Sequence, residues 1–109
     1  MQLIFDRSIA EDLQKNHTVL ELETVTKDGV TLDVFCLIPV EKIALTEMAQ
    51  LQHNTKLHIE FIKAYKNSDY QLCNGLYPHL IGKFGGEVDT FYHEIVQRIA
   101  NLEPGSNTR

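Results

Sequence analysis

Hydrophobic and polar positions alternate clearly in only one part of this chain, and from there onward they recur at helical spacing. The alternating part is "TVLELETVTKDGVTLDVFCLIP", residues 18 to 39. Two β-rich runs flank Asp28-Gly29, a pair that accepts the two positive φ angles of a type I′ hairpin turn. A two-residue loop pairs Lys27 with Val30, Leu22 with Phe35 and Leu20 with Leu37. That register puts Leu20, Leu22, Phe35 and Leu37 on one face. Val19, Val25, Leu32, Val34, Cys36 and Ile38 share the other with Glu21 and Glu23, two acids that read as a solvated edge. The second strand is apolar on both faces towards its end, as an internal strand is. Its free edge needs a partner, either the N-terminal "QLIF" or a second copy of the chain. Pro39 ends the ladder because it has no N–H to donate.

The remaining periodicity is helical. Ser8 and Glu11 form a capping box, so a short helix is expected from Ile9, with Ile9 and Leu13 on one face. "EKIALTEMAQLQ" puts Ala44, Leu45, Met48 and Leu51 on one stripe. Asn54 reads as the N-cap of a helix whose Leu57, Phe61, Ala64 and Tyr65 line up. Ser68 and Gln71 form a second capping box, opening a segment that Pro78 should kink or split. The last stripe is Val88, Phe91, Tyr92, Ile95, Ile99 and Leu102. The expected architecture is α+β: a small antiparallel sheet built on the hairpin, about residues 18–38, packed against three or four mainly C-terminal helices. Residues 1–102 make a single domain, and "EPGSNTR", 103–109, has the composition of a flexible tail.

Between the last two helical patterns lies "GKFGGEVDTFYHEI", residues 82 to 95. Paired glycines before a helix can cradle a phosphate. Here they are followed by Glu87 and Asp89, where a P-loop would carry a Lys and a hydroxyl. The stretch therefore reads as a left-handed cap at Gly82 and a turn at Gly85-Gly86, with no bound anion. One continuous helix is expected over 87–101, with Asp89 in its first turn accepting from backbone N–H groups.

Composition narrows the function classes. The 109 residues carry 15 acids against 10 Lys and Arg, a net charge of −5, and the bases are scattered. That disfavours nucleic-acid binding. No apolar run approaches the ~20 residues of a membrane span, and the N-terminus lacks the pattern of a signal peptide. "NHT" at Asn16–Thr18 is then a chance glycosylation match. A cytoplasmic protein is expected, with Cys36 and Cys73 as reduced, buried thiols.

Candidate chemistry is sparse. Of His17, His53, His58, His79 and His93, no two share a spacing at which secondary structure alone would build a metal site. Only a site assembled from distant segments, such as His58, His93 and Asp89, would make a small hydrolase or metal enzyme. Cys73 with His79 would need tertiary geometry to act as a thiol–imidazole pair. No cofactor is implied. Aromatic residues gather in the C-terminal half, and Tyr suits interfaces. Tyr65, Asp89, Tyr92, His93 and His58 are the candidate interaction or site residues.

The combination of "TVLELETV…VFCLIP", an acidic helix–helix region and "GEVDTFY" resembles small uncharacterised proteins encoded by bacteriophages and marine bacteria. The resemblance covers most of residues 17 to 100. It implies a cytoplasmic accessory role during phage growth or in a mobile element, and carries no catalytic residue. The leading expectation is a non-enzymatic interaction protein. It would be a homodimer, engaging a protein partner through an acidic, aromatic-bearing helical surface. The alternatives are the assembled hydrolase or metal enzyme, and a phage tail-assembly or morphogenesis factor, suggested by size and helix content.

Overall fold

In the computed structural model, which describes residues 2–102, the chain is an α+β protein. Its strands are β1 (Gln2–Ile4), β2 (Thr18–Lys27) and β3 (Val30–Ile38). Its helices are α1 (Arg7–Gln14), α2 (Leu45–Met48), α3 (Leu51–Lys66), α4 (Tyr70–Leu80) and α5 (Asp89–Leu102). Two 3₁₀ turns, Val40–Lys42 and Phe84–Gly86, join them. The expected tail, 103–109, lies outside the described residues.

The sheet is antiparallel in the order β1-β3-β2, so β3 is central, as its two-sided apolar pattern required. Asp28 and Gly29 have φ of 54° and 81°, the geometry of a type I′ turn. The two-residue register holds from Lys27↔Val30 to Glu23↔Val34. It then breaks: a bulge at Leu22 pairs Glu21 with Phe35, Leu20 with Cys36 and Val19 with Leu37. The expected pairs Leu22–Phe35 and Leu20–Leu37 are therefore wrong. A one-residue shift exchanges faces, and Leu20 and Leu22 join Val34, Cys36 and Ile38 in the main core. Val19 and Phe35 turn to the opposite face, where they meet Ile4 and Ala10 beneath α1.

The helices differ from their expected starts for local reasons. Helix α1 is capped by Asp6, whose Oδ1 accepts from Ile9 N at 3.1 Å, and not by Ser8. Ala10 is buried while Ile9 stays exposed. Ser68 cannot cap α4 because it is left-handed (φ 60°), closing α3; Asp69 accepts from Leu72 N instead. Helix α3 begins at Leu51, so Asn54 is an interior residue, 1% exposed, and not a cap. Its Nδ2 has no hydrogen-bond partner. Helix α4 runs through Pro78 without splitting and ends at Leu80. The expected stripe around Leu45 fails most plainly. Only four residues are helical there, and Leu45 and Met48 are exposed.

Helix α5 starts at Asp89, two residues after the expected position, and buries Phe91, Tyr92, Ile95 and Ile99. Gly82, Gly85 and Gly86 all have positive φ. Gly85 also lies hard against the Val40–Lys42 turn: an added Cβ would sit 2.0 Å from the Lys42 carbonyl oxygen. That contact defines a testable pair. Gly85→Ala combines a left-handed alanine, ~1–2 kcal/mol, with a backbone collision, and should lower Tm by more than the conformational cost alone. Gly75 lies inside α4 with nothing within 4 Å of an added Cβ. Gly75→Ala should stabilise by ~0.5–1 kcal/mol in urea titrations.

Candidate functional site

The structure brings two of the five candidate residues together and separates the rest. His58 and Tyr92 are buried and hydrogen-bonded, Nδ1 to phenol oxygen at 2.7 Å. His93 is exposed on α5 and bonds the hydroxyl of Tyr77. Asp89 accepts from the Gly82 backbone N–H at 2.9 Å, tying the start of α5 back to the preceding loop. Tyr65 is half-buried and contacts Tyr70. His58, His93 and Asp89 therefore do not assemble into one site, and Tyr92 is core rather than surface. Cys73 Sγ faces the Phe61 carbonyl while His79 is exposed, so the thiol–imidazole pair does not form. Among the described residues no three His, Cys, Asp or Glu side chains converge on a metal position. Nor is any helix there long and apolar enough to cross a membrane.

His58 sits where α3 crosses the edge strand β2. Its Nε2 lies 2.6 Å from the Glu21 carbonyl oxygen. A carbonyl only accepts, so Nε2 carries the proton; Nδ1 then accepts from the Tyr92 hydroxyl. The ring is neutral, because burial drops its pKa to about 4. Burial likewise pushes the Tyr92 phenol up, which keeps its proton available for donation. The rings of Phe84 and Tyr92 pack around the imidazole.

Next to this node a groove of about 530 Å³ runs between α1 and α3, over the outer edge of β2. Its floor is apolar, from Ala10, Val19, Phe35 and Ile62, with Ile59 among the polar and charged side chains of its rim. At one end Glu21 takes an ion pair from Lys66 of α3 and another from Arg7 of α1, the latter at 3.5 Å. Arg7 also pairs with Asp33 at 3.0 Å and stacks over Phe35, 5.0 Å from the ring centroid. The hydrogen bonds from Thr24 and Arg7 hold the Asp33 carboxyl below its ordinary pKa. Glu23, on the other side of the bulge, pairs with Arg98 at 2.8 Å. The two acids expected to form a solvated edge thus serve different helices. Sequence reasoning missed Arg7, Lys63 and Lys66. The only available sign was the three-residue spacing of the two lysines, which puts them on one side of α3.

The glycine stretch does hold an anion, and it is internal. The backbone N–H groups of Phe84 and Gly85 both donate to the carboxylate of Glu47, the second at 3.4 Å. Phe84, Gly85 and Gly86 have positive φ in succession, and this left-handed turn aims its first two amides at one carboxylate. The chain fills that concavity with its own side chain.

The helices leave part of the sheet uncovered. Leu3, Val25, Val30 and Leu32 share the face that carries the main core, yet are between 37% and 57% exposed. No protein-family model, curated protein or solved structure matches this chain.

The His58 node predicts a pH dependence. Unfolded, the imidazole titrates near 6.5; folded, near 4. Above the unfolded value both states are neutral and stability is complete. As pH falls through 6.5 the unfolded state alone takes up a proton, so stability declines and levels off near pH 4. The loss should total about 3 kcal/mol. Urea titrations between these limits should show it, and His58→Gln should remove that component. At pH 7 Tyr92→Phe should cost ~1–3 kcal/mol, since Nδ1 loses its donor. The thiols give a separate check. Both are fully buried, and burial raises Cys36 to about 12 and Cys73 to about 11. Alkylation of the folded protein at pH 8 should proceed only as fast as it opens.

Proposed function

We propose that this protein is a non-enzymatic interaction protein that works as a homodimer joined at the free edge of β3, with the uncovered sheet face as the surface the joined sheet offers to a protein partner. The apolar strip of Val25, Val30 and Leu32, with Leu3 farther along the same face, carries this reading. An exposed contiguous apolar face in a small domain marks a surface that another protein covers.

The condition of the sheet edges supports a second copy as the first partner. At the β2 edge, the Val19 carbonyl accepts from Gln14 Nε2 at 3.3 Å and the Glu21 carbonyl from His58. The bulge at Leu22 further disrupts that edge, and such devices block strand addition. Strand β3 differs. Three-residue β1 covers it only from Phe35 to Leu37, leaving Val30–Val34 with no strand on that side among the described residues. An identical strand added antiparallel there would join two hairpins into one sheet and bring their Val30 and Leu32 side chains together. The groups that could do chemistry are engaged structurally: His58 holds strand to helix, Glu47 holds the glycine turn, and Asp89 holds the start of α5.

Sedimentation equilibrium tests this. The wild type should run at twice the 12.5 kDa chain mass at micromolar concentration. Leu32→Lys should give a monomer, by setting like charges across the symmetric strand pair, with Tm measured at high dilution nearly unchanged because Leu32 is exposed. A wild-type monomer at millimolar concentration would refute the dimer.

A further inference from the structure

We propose that the groove between α1 and α3 binds a small amphipathic monoanion, a long-chain carboxylate being the simplest example. The head would lie at Lys63 and Asn67, and the chain along Val19, Phe35, Ile59 and Ile62. This site is on the opposite side of β2 from the dimer edge and does not depend on that reading.

Size and lining come first. About 530 Å³ lies in the range of small-molecule sites, and the groove sets an apolar floor of Val19, Phe35 and Ile62 beneath a rim that carries polar and charged side chains. The groove also has a direction. Its Arg7 end holds three cations, Arg7, Lys63 and Lys66, against the carboxylates Glu11 and Glu21, in a chain whose net charge is −5. At the other end it continues past Gln14, Val19 and Thr55 into a depression of about 380 Å³. That depression has no Lys, Arg, Asp or Glu in its lining; Val19, Met48 and Leu51 give it apolar surface between the uncharged polar side chains of His17, Thr18 and Gln52. An elongated ligand, charged at one end and uncharged along the rest of its length, matches this polarity.

Charge pairing then selects the head group. Arg7 and Lys66 already share the Glu21 carboxylate, and Arg7 holds Asp33 as well. Lys63, one turn of α3 before Asn67, has no acid partner among the described residues. A carboxylate beside it accepts from the ammonium and the Asn67 amide. Glu11 and Glu21 flank the same mouth, so a second negative charge on the head meets repulsion, and a monoanion is preferred to a dianion. Ile59 stands 57% exposed on the rim, where an apolar chain would cover it.

Calorimetric titration of the full chain with dodecanoate, kept below its micelle concentration, tests the proposal. One equivalent should bind with micromolar affinity and raise Tm. Dodecylammonium should bind at least roughly tenfold more weakly. Lys63→Glu and Ile59→Asp should each weaken dodecanoate by a similar factor. Neither should change the Tm of the unliganded protein, since both side chains are exposed. Absence of saturable heat overturns the proposal. So does equal affinity for the two amphiphiles, which marks surface adsorption, or wild-type affinity in Lys63→Glu. If a short acidic amphipathic peptide saturates the groove where dodecanoate does not, the site takes protein and the proposal also fails.

Discussion

The imidazole of His58 joins three elements that are far apart in sequence. From α3 it donates to the backbone of β2 and accepts from Tyr92 of α5, so one buried ring fixes the edge strand to two helices. Both ring nitrogens are satisfied only in the neutral tautomer, and only while α5 keeps its phenol in place. Removing any of the three groups strands a polar atom in the core. The Glu21 carbonyl is an edge group that would otherwise recruit another strand, so the same bond that holds the fold also closes one side of the sheet.

The bulge at Leu22 makes this arrangement possible. Without it Leu20 and Leu22 would share a face with Phe35, and the main core would lose two leucines. With it, both point under the helices, while Glu21 turns towards α1 and Glu23 towards Arg98. The two acids then bind separate helices to one strand. At the other end of the molecule, Glu47 plays a comparable part. Its carboxylate lies on the Phe84 and Gly85 amides, and the absent Gly85 side chain lets that turn lie on the Lys42 carbonyl. These contacts hold the stretch that carries the four-residue α2 onto the domain.

The two proposed surfaces follow from how thinly the layers cover the sheet. Helices α3 to α5 cover only the Val34–Ile38 end of β3, which leaves the hairpin arm apolar and unaccompanied. On the far face, the eight-residue α1 is too short to close against α3, and the gap between them is the groove.

The sequence by itself determined the features that rest on local chemistry. An Asp-Gly pair takes two positive φ angles almost wherever it occurs between β-rich runs. A two-sided apolar strand must be internal, and Phe91, Ile95 and Ile99 recur on one helical stripe. From these come the α+β class, the hairpin, the central β3 and the buried face of α5. Only tertiary structure decided the rest. A bulge is one residue of slack, and no residue type at Leu22 announces it; it forms because two leucines gain burial by shifting. Asp6 and Asp69 displaced the serines two and one residues away because capping depends on where the neighbouring turn ends. The partners of His58, Glu21 and Glu47 lie between 34 and 38 residues away for the hydrogen bonds to Tyr92, Glu21 and the glycine turn. Periodicity sees a few turns of helix, so it could rank these side chains as buried or exposed but could not say which atoms they would meet.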